Sequence, residues 1–275
     1  MKAMIFAAGL GTRLYPITKD RPKAMAEVNG ITLLEHNIRF IAAQGFDEII
    51  VNVHHFADKV IDFLKAKNNF GLQIEVSYEK ELLDTAGGLA KAADFFDDED
   101  FLLYNVDVVS NIDLQKMLAH HQQNKAIASL AIRQRETSRY LLFDENHHLA
   151  GWRNKSTGEE IVVGPQGLSG GIVETHGLDV VGTHGLDIVG THGLDIVGTH
   201  GRASLKREFA FSGIHIISPK MLPLLGDIRK HSLTPFYLEI AKENTIAGYE
   251  HNDDSWFDCG KPETLKQAEN YLKNN

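Results

Sequence analysis

The first half of the chain alternates between short apolar runs and amphipathic segments. Four segments have the apolar or alternating pattern of strands: residues 3–6, 48–53, 72–78 and 101–104. Three have apolar positions at helical spacing: residues 31–44, 57–67 and 88–96. This alternation predicts a three-layer α/β fold, in which helices cover both faces of a mainly parallel mixed sheet. Ligands bind such sheets at the carboxyl ends of strands, so residues just after a strand are candidate site residues.

Beyond residue 126 the pattern changes to strands that we expect to form hairpins. These strands cover residues 126–133, 140–143 and 209–217, and a turn is predicted at Asp144-Glu145-Asn146. Two further helices are predicted at residues 233–243 and 262–272. A length of 275 residues suits one domain, so we interpret residues 1–275 as a single domain whose substrate side comes from the second half.

One segment consists of repeats and departs from this rhythm. The unit Thr-His-Gly-Leu-Asp-Ile-Val-Gly begins at Thr183 and again at Thr191, with a near-identical copy from Thr175 and a truncated one from Thr199. Because Gly and Thr punctuate each copy, we expect an expanded surface loop at about residues 164–203. The even period also allows a metal-binding row or a short solenoid, because these histidines would share one side of an extended chain: His176, His184, His192 and His200.

A loop of small residues follows the first strand, with the sequence Ala7-Ala8-Gly9-Leu10-Gly11-Thr12-Arg13. Backbone N–H groups left free at the end of a strand bind phosphate, and Arg13 and Lys23 each add a cation beside them. The loop lacks the Gly-Lys-Ser/Thr of a Walker A motif, and Leu14 stands where a dinucleotide fingerprint has its third glycine. We therefore predict phosphate binding of another kind.

Five motifs in order along the chain resemble sugar-1-phosphate nucleotidyltransferases, and short bacterial members acting on N-acetylmuramate 1-phosphate or mannose 1-phosphate most of all. The motifs are Gly9-Leu10-Gly11-Thr12-Arg13 with Pro22-Lys23, Glu81-Leu82-Leu83-Asp84-Thr85-Ala86-Gly87-Gly88, Asn105-Val106-Asp107, Phe211-Ser212-Gly213-Ile214 and Trp256-Phe257-Asp258-Cys259-Gly260-Lys261-Pro262. The resemblance covers the chain apart from residues 155–207 and implies the Rossmann-like fold of nucleotide-diphospho-sugar transferases. It also implies an enzyme that transfers a nucleotidyl group from a nucleoside triphosphate to a sugar 1-phosphate and releases pyrophosphate.

The resemblance assigns expected roles to the phosphate-handling residues. Arg13 would stabilise the departing pyrophosphate, and Lys23 would neutralise the approaching phosphates. Asp107 and Asp258 would hold Mg²⁺, which prefers oxygen ligands, although a helix N-cap is the other interpretation of Asp107. The triphosphate would be cradled by the loop residues Ala8, Gly9, Leu10, Gly11 and Thr12.

Base and sugar contacts are also expected from the resemblance. Glu81 would face the base and accept from the N–H donors of uracil or guanine, which leaves UTP and GTP open, and a solvated charge is the alternative for this residue. Gly87 would let the backbone approach the nucleotide. The sugar phosphate would be met by Gly88, Asn105, Lys155 and Gly213. Two motifs depart from the family pattern, since Asn154-Lys155 replaces Glu-Lys and Gly260-Lys261-Pro262 replaces Gly-Thr-Pro.

Composition narrows the function further. The chain has 37 acidic against 28 basic residues, a net charge of −9, which argues against a nucleic-acid partner. No apolar run approaches the roughly eighteen residues of a membrane span, and no leader segment precedes the first strand. Cys259 is the single cysteine, which we expect to be a small buried residue in a cytoplasmic protein.

Two other functions stay open. A phosphocholine cytidylyltransferase shares the N-terminal loop, and a non-catalytic nucleotide-sugar-binding regulator is an alternative of another class. The joint presence of Arg13, Lys23, Asp107 and Asp258 argues against a regulator, because a binder could dispense with the metal pair. The sequence indicates neither the sugar nor the oligomeric state.

Overall fold

The computed structural model describes residues 1–163 and 206–274. The predicted loop at about residues 164–203, with its repeats and its row of histidines, lies outside the described residues. In the part of the chain that is described, no helix has the length and apolar character that crossing a membrane requires.

Fourteen strands are described, and in chain order they are β1 (Lys2–Phe6), β2 (Glu27–Val28), β3 (Ile31–Thr32), β4 (Glu48–Val53), β5 (Gln73–Tyr78), β6 (Phe101–Asn105), β7 (Val108–Ser110), β8 (Ala128–Arg133), β9 (Arg139–Phe143), β10 (Leu149–Asn154), β11 (Glu160–Val162), β12 (Arg207–Ile217), β13 (Ile246–Glu250) and β14 (Trp256–Asp258). The described helices are α1 (Leu33–Ala43), α2 (Ala57–Ala66), α3 (Asp84–Lys91), α4 (Leu114–Asn124), α5 (Leu233–Ile240) and α6 (Pro262–Asn274).

Ten of these strands form one mixed sheet. Its order is β11-β10-β9-β12-β6-β1-β4-β5, and β8 pairs with both β12 and β13. The neighbours β6, β1, β4 and β5 are parallel, whereas β12 runs antiparallel to β6, β8 and β9. The predicted α/β fold with a mixed sheet is therefore confirmed, with its parallel part in the first half of the chain and its hairpins in the second.

Helices cover both faces of the sheet, because strand residues alternate between two hydrophobic cores. On one face Met4 and Leu103 pack with α3 and α5. On the other face Ile5 and Tyr104 pack with α1, α2 and α4. These neighbouring positions on β1 and β6 are fully buried, which is typical of parallel strands between two helical layers.

The strands and helices with strong periodicity lie within a few residues of their predicted places, but the helix predicted at 88–96 is displaced. It begins at Asp84 and ends at Lys91, and a separate 3-10 turn follows at Ala93–Phe95. The displacement has a packing cause. An ideal Cβ at Gly87 would lie 2.0 Å from the carbonyl oxygen of Arg229, so this glycine lets α3 press against the segment before α5.

The pairing of β7 with β14 was not predicted and has the largest effect on the site. Each strand has three residues, and Asp258 pairs with Val108. The N–H of Cys259 then donates to the carbonyl oxygen of Asp107 at 2.7 Å. This two-stranded sheet brings Asp258 to the carboxyl end of β6.

A bulge in β12 shapes the opposite wall. The register with β8 shifts between Phe211 and His215, and Gly213 within the shift has a φ of +76°. An ideal Cβ there would lie 2.7 Å from Nδ2 of Asn105. Gly213 is thus required by both its backbone conformation and its close approach to β6.

Candidate active site

The glycine-rich loop leaves β1 with free N–H donors. The N–H of Ala7 donates to Oδ1 of Asn52 at 2.7 Å. For the N–H groups of Gly9, Leu10 and Gly11, the described residues contain no hydrogen-bond acceptor. Such donors at the end of a parallel strand are suited to phosphate oxygens.

Gly11 brings this loop close to Lys23. Its φ is +65°, and its carbonyl oxygen accepts from Oγ1 of Thr18 at 2.9 Å. An ideal Cβ at Gly11 would lie 3.0 Å from both Cβ of Lys23 and Cγ2 of Thr18. Because only glycine is unstrained there, the loop can fold back over the segment that carries Lys23.

Two cations and two carboxylates then form one charged group beside Gly260. Nζ of Lys23 donates to Oδ2 of Asp107, and Nη1 of Arg13 lies 3.9 Å from Oδ2 of Asp258. An ideal Cβ at Gly260 would lie 2.7 Å from Oδ1 of Asp258, 2.9 Å from Nη2 of Arg13 and 3.2 Å from Oδ2 of Asp107. The structure therefore brings together the four charged residues that the sequence predicted as catalytic or metal-binding.

The two carboxylates are a suitable donor set for a divalent cation. Burial raises the pKa of Asp258, and the neighbouring Asp107 raises it further. A cation between like charges removes this penalty, and Mg²⁺ takes one or two carboxylates together with water and phosphate oxygens. Among the described residues there is no cluster of three or more His, Cys, Asp or Glu, so Asp107 and Asp258 would be the protein's contribution to such an ion.

Cys259 is not a candidate nucleophile. Its side chain is fully buried, as predicted, and burial together with the nearby carboxylates raises the pKa of its thiol to about 12. A thiol with this pKa stays protonated at neutral pH and is unreactive. The residue packs instead against α6 and Leu14.

A cavity of about 360 Å³ opens beside this charged group, and we call it the nucleotide cavity. The glycine-rich loop contributes Ala8 and Gly9 to its lining, and the segment that leads into α3 contributes Leu82, Asp84 and Thr85. Lys23, Asn105 and Asp107 also line it. The lining thus holds the predicted site residues Ala8, Gly9, Lys23, Asn105 and Asp107, and it holds other residues of the second motif, whereas Leu10, Gly11, Thr12 and Glu81 do not line it.

The carboxylate that the fold buries near this cavity is Glu79, and the sequence analysis missed it. Glu81 is exposed, whereas Glu79 is fully buried. Oε1 of Glu79 accepts from Nδ2 of Asn52 at 2.7 Å, and Oε2 accepts from the N–H of Leu83 at 2.9 Å. Since Asn52 also holds Ala7, this network joins the two sides of the nucleotide cavity. One sequence signal was available, namely a polar Asn52 inside an otherwise apolar strand.

Gly87 and Gly88 have packing roles in the structure. The N–H of Gly87 donates to the carbonyl oxygen of His231 at 3.2 Å. An ideal Cβ at Gly88 would lie 2.7 Å from Oε1 of Glu79 and 2.9 Å from Nδ2 of Asn52. Neither glycine lines the nucleotide cavity, so their predicted substrate contacts remain predictions.

On the predicted sugar side, only Asn105 and Gly213 come together. Nζ of Lys155 pairs with Oε2 of Glu208 at 2.6 Å and lies 4.4 Å from the ring centre of Tyr140. Lys155 therefore borders a different part of the surface from the nucleotide cavity. Its predicted contact with the sugar phosphate remains a prediction.

Residues 2–153 match the sequence profile of a family described as Nucleotidyl transferase. The chain belongs to this family. The matched residues hold the glycine-rich loop, Lys23, the Glu79 network and Asp107, whereas Asp258 lies beyond them. The match to the family profile thus includes one carboxylate of the pair, and strand β14, which pairs with β7, supplies the other.

Named relatives agree with the family. A UTP–glucose-1-phosphate uridylyltransferase of Synechocystis is 33% identical over 176 residues, which are 58% of this chain and 45% of the relative. An N-acetylmuramate alpha-1-phosphate uridylyltransferase of Caulobacter vibrioides is 40% identical over 110 residues, which are 39% of this chain and 46% of the relative. The chain therefore spans a little under half the length of these curated relatives.

Solved structures agree on the fold. The crystal structure of HddC from Yersinia pseudotuberculosis has a TM-score of 0.70 at 19% identity and covers 98% of this chain and 99% of its own. A structure of UDP-glucose pyrophosphorylase complexed with UDP-glucose has a TM-score of 0.67 at 17% identity and covers 100% of this chain and 99% of its own. The fold is that of the Rossmann-like nucleotide-diphospho-sugar transferases.

Proposed function

We propose that the protein transfers a nucleotidyl group from UTP or GTP to a sugar 1-phosphate, giving a nucleotide sugar and pyrophosphate. The observation that carries the proposal is the meeting of Arg13, Asp107 and Asp258 around Gly260, with Lys23 paired to Asp107, beside a cavity lined in part by the glycine-rich loop. Both reactants are anions, so this reaction needs charge neutralisation and alignment more than an activated nucleophile. The site offers cations and carboxylates and keeps its one cysteine buried and protonated.

In this proposal the loop amides of Gly9, Leu10 and Gly11 bind the triphosphate. Its α-phosphorus is then held beside Lys23 and Asp107, which line the nucleotide cavity. Lys23 stands at Asp107 and neutralises the sugar phosphate as it approaches. Arg13 is exposed at the rim beside Asp258, where a planar cation suits the departing pyrophosphate.

Asp107 and Asp258 would hold Mg²⁺, which supplies charge neutralisation of the phosphates and a template for in-line displacement when bound. Asp258 ends β14, and Asp107 directly precedes β7, the strand with which β14 pairs, so this pairing fixes the spacing of the two side chains. Rigid placement of this kind is what alignment of two anions requires.

The named relatives support the reaction class and not one base. Uridylyltransferases and a mannose-1-phosphate guanylyltransferase of Arabidopsis thaliana, 35% identical over 136 residues, are both similar to this chain. Glu79 is buried, does not line the cavity and has partners on both carboxylate oxygens, so we propose that it positions Asn52 and Leu83, while Glu81 stays the candidate for the base contact.

The test is pyrophosphate release with UTP or GTP and a panel of sugar 1-phosphates, with CTP and phosphocholine as a separate arm. Release with a sugar phosphate supports the proposal, and release only with phosphocholine would replace it. Lys23→Ala should lower kcat at least a hundredfold, because a cation facing both phosphates is lost. Lys19→Ala removes an exposed lysine near the same loop and is the matched control, which should keep its rate. No release with any pair favours a nucleotide-sugar-binding regulator.

A further inference from the structure

A second cavity, of about 520 Å³, lies beyond the sugar side of the site, and we call it the arginine cavity. Its walls are largely aromatic and aliphatic, with Tyr140, Trp152 and Phe211 among them. Hydroxyl groups are supplied by Thr137, Ser232 and Thr234. Apolar walls with a few placed polar groups are typical of a small-molecule site, and flat rings with hydroxyls suit a sugar.

Arg135 in this cavity is fixed in place, and no described residue forms an ion pair with it. Its guanidinium lies 4.7 Å from the ring centre of Trp256, and Nη2 donates to the carbonyl oxygen of Phe211 at 3.1 Å. Its Nε is buried and has no hydrogen-bond partner among the described residues. Burial lowers the pKa of Arg135, although Asp258 acts on it in the opposite sense. A partly desolvated cation with a free donor favours an incoming anion.

Neighbouring cations differ from Arg135 in this respect. Arg153 pairs with Glu160 at 2.7 Å and also with Glu208, and Lys155 pairs with Glu208. Arg139 also lines the arginine cavity, is exposed, and forms no ion pair with a described residue. Glu159 is the one carboxylate among the described lining residues, so the arginines leave this cavity with excess positive charge in a chain of net charge −9.

The arginine cavity is joined to the catalytic group. The guanidinium of Arg135 lies 4.7 Å from the ring centre of Trp256, which is in the same strand as Asp258, and it donates to the carbonyl oxygen of Phe211, two residues before Gly213. Gly213 in turn lies against Asn105, which lines the nucleotide cavity. A sugar whose phosphate lies near Lys23 and Asp107 can therefore extend toward Arg135.

We propose that the arginine cavity binds an acidic substituent of the sugar, so that the preferred acceptor is a sugar 1-phosphate carrying a carboxylate. Arg135 and Arg139 are then specificity-determining residues, and a guanidinium suits them because it binds a carboxylate through two parallel hydrogen bonds. The inference rests on the proposed function and adds the chemical class of its acceptor.

The test uses pairs of acceptors that differ only in the acidic group. Glucuronic acid 1-phosphate is compared with glucose 1-phosphate, and N-acetylmuramic acid 1-phosphate with N-acetylglucosamine 1-phosphate. We expect the acidic member of at least one pair to have at least a tenfold higher kcat/KM, expressed mainly in KM. In Arg135→Gln and in Arg139→Gln the ratio of acidic to neutral kcat/KM should fall at least fivefold.

Arg135→Lys, which retains the charge, should recover part of the ratio and guards against a folding defect in Arg135→Gln. Arg39→Gln is the matched control, because Arg39 is an exposed arginine on α1 that lines neither cavity, and its ratio should equal that of the wild type. Turnover of neutral acceptors with no acidic preference, or an unchanged ratio in both Gln variants, overturns this inference alone. Absence of turnover with every sugar phosphate refutes the proposed function, and this inference with it.

Discussion

Substitution of Gly260 by alanine tests whether the four charged side chains form one tightly packed group. The added methyl would lie 2.7 Å from Oδ1 of Asp258, 2.9 Å from Nη2 of Arg13 and 3.2 Å from Oδ2 of Asp107. The first two distances are shorter than real Cβ contacts, so carboxylate and guanidinium must both move. Gly260 does not have a positive φ, so the substitution acts through crowding and not through backbone strain.

The magnitude follows from this displacement. Overpacking costs about 1–3 kcal/mol of stability, and misplacement of reacting groups by about 1 Å costs on the order of a hundredfold in rate. We expect kcat/KM of Gly260→Ala to fall by roughly ten- to a hundredfold, which is about 1.4–2.7 kcal/mol of transition-state stabilisation. The fall should appear in kcat, because the glycine-rich loop, which we propose binds the triphosphate, is unchanged.

The assay is steady-state pyrophosphate release with the best substrate pair, together with thermal unfolding of each variant. Gly71→Ala is the control, because Gly71 has a φ of +74° and open space around an ideal Cβ. It should lose about 1–2 kcal/mol of stability through backbone strain and keep its kcat. Wild-type kcat in Gly260→Ala would refute the interpretation of Gly260 as the packing centre of the site.

Three further changes have defined outcomes. Asn52→Ala should lower the free energy of unfolding by about 1–3 kcal/mol and raise KM for the nucleotide, because it leaves Ala7 and Glu79 without their shared partner. Urea unfolding measures the first effect and steady-state kinetics the second. An unchanged KM would contradict the role of Asn52 in joining the glycine-rich loop to Glu79. Asp258→Asn should raise the melting temperature of the metal-free protein, because the raised pKa of Asp258 shows that its charge destabilises the fold at neutral pH. The same substitution should lower kcat. Mg²⁺ should stabilise the wild type alone, and equal stabilisation of both proteins would argue against Asp258 as a metal ligand. Burial lowers the pKa of His251 to about 4, so as pH falls below about 6.5 the histidine is protonated in the unfolded chain before it is protonated in the folded protein. The free energy of unfolding should therefore fall by about 1.4 kcal/mol per pH unit between about pH 6.5 and pH 4 because of this residue. His251→Asn should flatten that part of the stability curve, and an unchanged curve would show that the histidine is already charged in the folded protein.

Much of the fold could be predicted because its strands are apolar and its helices amphipathic over several turns. The pairing of β7 with β14 could not be predicted, since strands of three residues show no periodicity and the two strands are far apart in the chain. Asp107 was identifiable as the carboxylate after a buried strand. Its proximity to Asp258 depends on that strand pairing. The resemblance to the family implied both carboxylates, but only the fold shows that they lie together.

The burial of one of two neighbouring glutamates shows a different limit. Glu79 and Glu81 flank Lys80 and are equivalent by charge pattern. Which of them is buried depends on Asn52, a residue on another strand. Local sequence carries no information about that partner. The arginine cavity was missed for the same reason, because Arg135, Trp256 and Phe211 meet only through long-range strand pairing.

The position of β14 late in the chain has a consequence for biosynthesis. The ten-stranded sheet is complete at β13, whereas Asp258 and Gly260 follow it. At ribosomal rates Asp258 is made roughly eight to thirty seconds after Asp107. The second carboxylate therefore joins the site only after every strand of the ten-stranded sheet has been made. A polypeptide ending before Trp256 would keep all ten strands and lack Asp258, which makes it a natural starting point for a split protein restored by a peptide that carries β14.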